Sequence, residues 1–289
     1  MKTFGGIEEK CSKFEDSAVL LQSIPYDGTS TWGKGADNAF GAFLEAAENM
    51  ELYDIETDSE VYEKGIHILP QIDEKSSPEA VFQTVYQNTK ELLKTNKFLT
   101  FFGGEHSISI GIIKAFYQKY PDITILQLDA HADLRESYLG SKYNHACAVH
   151  DASLNTNLIQ VGIRSMDSCE KQYLDKSKCF FAGDMFGKDD WIEKSIGLMT
   201  EDVYLTIDLD AFDPSIMPAT GTPEPGGLGW NTVINYLKKV FERKNVLGFD
   251  IVELAPIENL KAPNFLAAKL YYKLLSYKFA YNEKQRTGK

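Results

Sequence analysis

Six apolar runs, at residues 17–25, 98–102, 123–128, 158–163, 203–207 and 246–251, limit what this chain can fold into more than any other feature. They are short and mostly unbroken rather than alternating with polar residues. A strand reads that way when both of its faces are covered, as in a parallel sheet. Between them lie segments with the apolar spacing of helices: 36–50, 78–95 with Ser77 as the expected N-cap, 107–120, 230–243 and about 264–281. Strands alternating with helices give an α/β protein.

The 289 residues could make one large domain or two. No tract rich in Ser, Pro or charge divides them and no repeat has solenoid spacing, so one domain over 1–289 is expected. The densest Gly/Pro stretch, 221–229, is too short for a linker and follows directly on an acidic cluster, which reads as an active-site loop. The opening ten residues lack the apolar core of a signal peptide, and no segment approaches the ~20 apolar residues of a membrane span. Four cysteines, Cys11, Cys147, Cys169 and Cys179, lack framework spacing, as befits a reducing compartment. A cytoplasmic protein is therefore expected. A net charge of −12 argues against a nucleic-acid partner and favours a cationic substrate.

Each apolar run that matters ends on chemistry. His106 follows run 98–102, Asp129 follows 123–128, Asp208 follows 203–207 and Glu253 follows the last run. Open α/β sheets bind ligands outside the carboxyl ends of their strands, so these four places should converge on one crevice. Asp129, His131 and Asp133 are spaced by two, as are Asp208 and Asp210, and extended chain projects such residues to one side. With His106, four aspartates and two histidines are too many ligands for one ion. A structural zinc would want a cysteine-rich set of four, and no Cys-x-x-Cys spacing exists here. Carboxylates bridging two divalent ions roughly 3.5–4 Å apart, with imidazoles completing each shell, are what a two-metal hydrolase needs. Manganese fits that mix best. A single Asp at a strand end ordinarily caps a loop, but six such ligands in three places do not.

These residues stand in four motifs: Gly103-Gly104-Glu105-His106-Ser107, Asp129-Ala130-His131-Ala132-Asp133, Thr206-Ile207-Asp208-Leu209-Asp210-Ala211-Phe212-Asp213-Pro214 running into Gly221-Thr222-Pro223-Glu224-Pro225-Gly226-Gly227, and Asp250-Ile251-Val252-Glu253-Leu254-Ala255-Pro256. In that order the chain resembles the arginase and agmatinase family of ureohydrolases, manganese enzymes that hydrolyse guanidino compounds to urea and an amine. The resemblance implies a three-layer α/β/α sandwich with a central, mainly parallel sheet and two Mn2+ per chain. One ion would take His106, Asp129, Asp133 and Asp208, the other Asp129, His131, Asp208 and Asp210, with Asp129 and Asp208 bridging. It also implies that Asp133 accepts a hydrogen bond from the attacking hydroxide and that Glu253 pairs with the guanidinium. His145, in Tyr143-Asn144-His145-Ala146-Cys147, would relay a proton to the leaving amine. The need for metal has a physical basis: a guanidinium is resonance-stabilised and resists neutral water, whereas two cations sharing one water make hydroxide available near neutral pH.

Other polar residues have plainer expectations. His67 and His150 lack motif support and belong to surface or core, and Cys147 reads as a small buried hydrophobe. Asp213, before Pro214, should fix a turn and a neighbouring ligand. The 221–227 segment lacks the Lys-Ser/Thr ending of a phosphate loop.

Within the family, Ile24-Pro25-Tyr26-Asp27-Gly28-Thr29-Ser30-Thr31-Trp32 followed by Gly33-Lys34-Gly35 is similar to the agmatinase branch. Trp32 and Lys34 stand where many members carry Tyr and Arg, and Ala146-Cys147 replaces a Gly-containing pair. No arginase-type loop for an amino acid's carboxylate is recognisable around Asn144. The expected reaction is agmatine to putrescine and urea, with 4-guanidinobutyrate, arginine and formiminoglutamate as other substrates to weigh. Two rival readings are a single-zinc deacetylase-type amide hydrolase, opposed by Asp208-x-Asp210 with His106, and a non-catalytic homologue, opposed by the complete ligand set. The resemblance also implies a homo-oligomer, trimer or hexamer.

Overall fold

The computed structural model describes residues 2–282. Its elements in chain order are β1 (Val19–Ile24), α1 (Ala39–Ala47), β2 (Ile66–Ile68), α2 (Pro78–Leu92), β3 (Phe98–Gly103), α3 (Ile108–Lys119), β4 (Thr124–Leu128), α4 (His150–Asn155), β5 (Asn157–Ile163), β6 (Cys179–Phe181), α5 (Ala182–Met185), α6 (Asp190–Leu198), β7 (Asp202–Asp208), α7 (Trp230–Arg243), β8 (Asn245–Val252) and α8 (Ala262–Tyr277). All eight strands lie in one sheet, in the order β2-β1-β3-β8-β7-β4-β5-β6, and every pairing is parallel. The parallel α/β sheet read from the apolar runs and the three-layer α/β/α architecture implied by the resemblance are the ones observed.

Alternation along the strands feeds both layers. Phe102 joins Phe43, Phe249 and Tyr271 under α1, α6, α7 and α8, while its neighbour Phe101 joins Val85, Ile112 and Phe116 under α2, α3 and α4. Each such fully buried side chain contributes roughly 1.5–3 kcal/mol of burial free energy, which is why the runs are apolar on both sides. Ser77 caps α2 as expected, its hydroxyl accepting from the Ala80 amide at 3.1 Å, with Pro78 opening the first turn.

Differences from the sequence reading fall at the edges. The outer strands β2 and β6 are three residues each, too short to carry a pattern, and the short helices α4, α5 and α6 were not anticipated. Residues 36–38 form a 3₁₀ turn before α1 rather than part of it. The last helix ends at Tyr277 and continues as a wider turn, Lys278–Asn282. Among the described residues no helix is long and apolar enough to cross a membrane.

Register positions the site. Leu128 pairs with Ile207, Ile207 with Ile251, and Ile251 with Phe102, a row running across four neighbouring strands. The residues one step beyond that row are Asp129, Asp208, Val252 and Gly103. Two carboxylates thus stand side by side at the strand spacing of about 4.8 Å. The chain after β1 crosses this edge closely: the amides of Gly104 and Glu105 donate to Ile24 and Tyr26 carbonyls at 2.9 and 2.8 Å. A Cβ on Gly104 would stand 1.8 Å from the Tyr26 carbonyl oxygen, so only glycine fits there.

Away from the site, a partly buried ion cluster ties the loop after α1 to α8. Lys273 reaches Asp54 at 3.0 Å and also Glu56, and the Tyr277 hydroxyl donates to Glu56 at 2.7 Å. Burial opposes ionisation of Glu56, but hydrogen bonds from Lys273, Tyr277 and Lys238 outweigh it and lower its pKa to about 2. Because the folded value lies below the unfolded one, the contribution of Glu56 is complete above its ordinary 4.5 and fades as pH falls from there towards about 2. Lys273→Met leaves Asp54 buried without a countercharge and should destabilise by about 3–5 kcal/mol. Urea unfolding followed over pH checks both effects: the variant should lose stability at neutral pH and show a flatter acid limb than the parent.

Candidate active site

The six expected ligands meet at the carboxyl ends of β3, β4 and β7. His106 Nδ1 lies 3.0 Å from Asp129 Oδ2, 3.2 Å from Asp133 Oδ2 and 3.4 Å from Asp208 Oδ2. His131 Nδ1 lies 2.9 Å from Asp210 Oδ2 and 3.6 Å from Asp129 Oδ1. Two groups result, His106 with Asp129 and Asp208, and His131 with Asp129 and Asp210, each with ligand atoms within 4.8 Å of one another and sharing Asp129. Asp133 joins the first through His106.

Whether these residues suit a metal is answered by His106. Its Nδ1 is buried and makes no hydrogen bond, although three carboxylate oxygens surround it at nearly equal distances. Atoms aligned with a common centre rather than with each other are arranged as ligands are around a cation. The donors are carboxylate and imidazole only, the set suited to hard and borderline divalent ions.

A polar row inside the sheet holds these ligands in place. Gln127, Thr206 and Asp250 are cross-strand partners two residues before the strand-end groups. Gln127 Nε2 donates to Asp129 Oδ2 at 2.7 Å, and Thr206 Oγ1 lies 2.9 Å from His106 Nε2. Thr206 in turn donates to Asp250 at 2.7 Å, which also accepts from Tyr204 at 2.7 Å and Ser109 at 3.0 Å. Since the Thr206 proton goes to the Asp250 carboxylate, the Thr206 oxygen accepts from His106 Nε2–H, and Nδ1, turned towards the aspartates, is the nitrogen available to ligate a cation. Backbone amides fix the remaining oxygens: His131 N donates to Asp129 at 2.6 Å, Ala130 N to Asp210 at 3.0 Å and Asp210 N to Asp208 at 2.8 Å.

Electrostatics record the crowding. Burial and then the Asp129 charge push Asp133 up to about 7, and burial with the charges of Asp210 and Asp129 pushes Asp208 well up. His106 and His131 are raised well above the usual imidazole value despite burial, because aspartates surround both. Asp133 and Glu253 also sit on left-handed backbone, at φ of 51° and 66°, a conformation that a non-glycine residue adopts at a cost and that clusters at functional sites.

A cavity of about 170 Å³ opens over this edge, lined by His131, Asp133, His145, Asp208, Asp210 and Glu253 on its floor and by Arg135, Tyr138 and Asp167 at the rim. Glu253 Oε1 accepts from the His106 amide at 2.7 Å; burial and the neighbouring Glu105 raise its pKa well above normal. Burial, together with the charges of His131 and His106, lowers His145 to about 4. At the rim, Arg135 stacks over Tyr138 at 4.2 Å and reaches Asp167 at 3.5 Å.

Glu105, Thr29 and Arg164 have no role assigned from the sequence. Glu105 is fully buried beside His106 and accepts from Thr29 N, Thr29 Oγ1, Ser30 Oγ and Ser107 Oγ at 2.8, 2.7, 3.1 and 2.6 Å. Thr29 Oγ1 touches His145 Nδ1 at 3.1 Å. Arg164 spans the carbonyls of Gly162, Asp210 and Glu224 at 3.1, 2.6 and 2.8 Å, clamping the Asp210 turn to the Gly/Pro loop. A polar or charged residue inside an apolar run, or directly after one, was the available signal for Thr206, Asp250 and Arg164. The remaining histidines stay outside the cluster: His67 Nδ1 pairs with the Ser12 carbonyl and His150 Nδ1 with the Leu134 carbonyl. Asp213 accepts from the Ser215, Gly226 and Gly227 amides, each at 3.0 Å, fixing the turn and the loop.

A profile described as the arginase family matches residues 17–276. An N(1)-aminopropylagmatine ureohydrolase of Synechocystis is 35% identical, the alignment covering 96% of this chain and 94% of the relative. An agmatinase of Pyrococcus horikoshii is 32% identical over 89% of this chain and 91% of its own. The crystal structure of agmatine ureohydrolase of Thermoplasma volcanium superposes with a TM-score of 0.84 at 30% identity, covering 94% of both chains.

Thr206→Val keeps the side-chain shape but removes the bridge between Asp250 and His106. Affinity for a divalent cation such as Mn2+ should fall about 10–100-fold while the protein stays folded; titration calorimetry checks this, and an unchanged affinity would deny the bridge its role.

Proposed function

The chain belongs to the arginase family and is a hydrolase of the ureohydrolase type, and from that premise we propose that its substrate is agmatine, cleaved to putrescine and urea. The observation that carries the reading is the shared Asp129 between two ligand groups, opening on a cavity floored by Glu253 and His145. Two Mn2+ would be held by His106, Asp129, Asp133 and Asp208 and by Asp129, His131, Asp208 and Asp210. They would supply a nucleophilic oxygen at neutral pH and countercharge for the aspartates.

The residues perform the rest. Glu253 has one oxygen tied to the His106 amide, leaving the other to receive the guanidinium, whose positive charge reverses the penalty that burial places on the carboxylate. Hydrolysis moves both protons of the attacking water onto the departing nitrogen: water adds to the guanidinium carbon, the carbon–alkylamine bond breaks, and its electron pair leaves with the amine as urea forms. Asp133 is the acceptor for one of these protons at its carboxylate, and neutral His145 carries a proton through Nε2 to the leaving nitrogen. An amine-ended tail would meet Asp167 at the rim, which backbone and side-chain hydrogen bonds from Cys169 keep below the usual carboxylate range.

A second substrate reading, N(1)-aminopropylagmatine, is favoured by the 35% identical Synechocystis relative, an N(1)-aminopropylagmatine ureohydrolase. The motif resemblance implies a homo-oligomer, trimer or hexamer, which light scattering checks.

Urea release from agmatine, N(1)-aminopropylagmatine, 4-guanidinobutyrate and arginine should show turnover of agmatine well above arginine. Urea from arginine or 4-guanidinobutyrate but none from agmatine would overturn the substrate. Asp129→Asn should abolish release, His145→Ala should lower kcat about 10²–10⁴-fold, and Glu253→Gln should act mainly on KM. A metal count of one per chain would bring back the single-zinc alternative.

A further inference from the structure

We infer that Thr29 and Glu105 are a positioning pair that locks His145 in the tautomer carrying its proton on Nδ1, so that bare Nε2 faces the cavity. The inference rests on the reading of His145 as the proton carrier, but the tautomer itself is set by hydrogen-bond counting.

A threonine hydroxyl has one proton to give and two lone pairs. Thr29 Oγ1 has three neighbours: Glu105 Oε1 at 2.7 Å, the His145 amide at 2.9 Å and His145 Nδ1 at 3.1 Å. The amide only donates. Three hydroxyls and one backbone amide meet Glu105; burial raises its pKa, but these hydrogen bonds favour the ionised form, in which the four donors occupy its four lone-pair positions and leave it nothing to donate. The single Thr29 proton therefore goes to Glu105, the oxygen takes the amide on one lone pair, and the other must be filled by Nδ1–H.

The opposite tautomer would turn the Thr29 proton towards Nδ1. Two oxygens would then face each other at 2.7 Å with no proton between them, beside a carboxylate buried completely. An unsatisfied buried charged group costs more than the roughly 1–3 kcal/mol of a neutral one, enough to decide a tautomer whose intrinsic preference is small.

Among the described residues Nε2 has no protein partner, and His145 lines the cavity. The neutral ring thus presents a lone pair where the reaction needs a proton acceptor first. It takes one proton from the attacking water and passes it to the amine as the carbon–nitrogen bond breaks, returning to its starting form. With the proton on Nε2 instead, the ring could give before it could take, and the cycle would start in the wrong order. His106 shows the mirror arrangement, with Thr206 and Asp250 holding Nε2–H and turning Nδ1 towards the aspartates.

Neutron diffraction from crystals of the Mn2+-loaded enzyme in D2O at neutral pH reads the tautomer directly. Deuterium on His145 Nδ1, and none on Nε2, is expected; deuterium on Nε2 overturns the inference. In kinetics, Thr29→Val should lower kcat for agmatine about 10²–10⁴-fold, the range for a misprotonated catalytic histidine, with KM within about twofold and both metal ions retained. Thr29→Ser, which keeps the hydroxyl, should recover most of the rate. A Thr29→Val enzyme with the parent's kcat, or a Thr29→Ser enzyme as slow as Thr29→Val, would also overturn it. Should the parent release urea from no guanidine, the proposed function fails while the deuterium position still decides the tautomer.

Discussion

Repulsion among buried carboxylates gathered at one edge of the sheet is the constraint around which this structure is arranged. Asp129, Asp133, Asp208 and Asp210 crowd two imidazoles at the edge of the sheet, and the raised pKa values of Asp133 and Asp208 record that approach. Parallel register alone brings Asp129 and Asp208 together, because the rows before them are locked by packing on both faces of the sheet. Left-handed backbone at Asp133 and Glu253 adds roughly 1–3 kcal/mol each to what the core must sustain. A cation between the carboxylates relieves the repulsion and recovers part of the cost, so folding and metal binding favour the same geometry.

The ligands do not stand alone on that edge. Backbone amides hold one oxygen of each of Asp129, Asp208 and Asp210, leaving the others to point at the shared centre. Beneath them Gln127, Thr206 and Asp250 carry hydrogen bonds from strand to strand. Buried polar groups of this kind are tolerated only when every partner is satisfied, and here the satisfaction is complete enough to orient a ring. Threonine serves as the intermediary because its single proton makes each bridge directional.

That directionality lets one structural device serve two purposes. Asp250 and Thr206 turn His106 so that Nδ1 faces the aspartates, and Glu105 and Thr29 turn His145 so that Nε2 is bare towards the cavity. Glu105 and His106 are adjacent in the chain, so the loop after β3 contributes to both, and the close crossing at Gly104 brings Thr29 within reach.

Much of this was written in the sequence. Unbroken apolar runs specified a parallel sheet because burial on both faces admits few polar residues, and ligands two residues apart at the ends of runs specified a shared centre because extended chain has a period of two. The edge strands β2 and β6 escaped, being three residues long with no pattern to read. The roles of Glu105, Thr29, Thr206 and Asp250 escaped although most stood inside quoted motifs. Their partners lie far off along the chain, Thr29 76 residues from Glu105 and Thr206 100 from His106. Residue type and spacing determined which atoms could bind a cation or a guanidinium. Which nitrogen of each histidine carries the proton was decided only in three dimensions, because it depends on a hydroxyl's few hydrogen bonds to groups that only the folded sheet brings together.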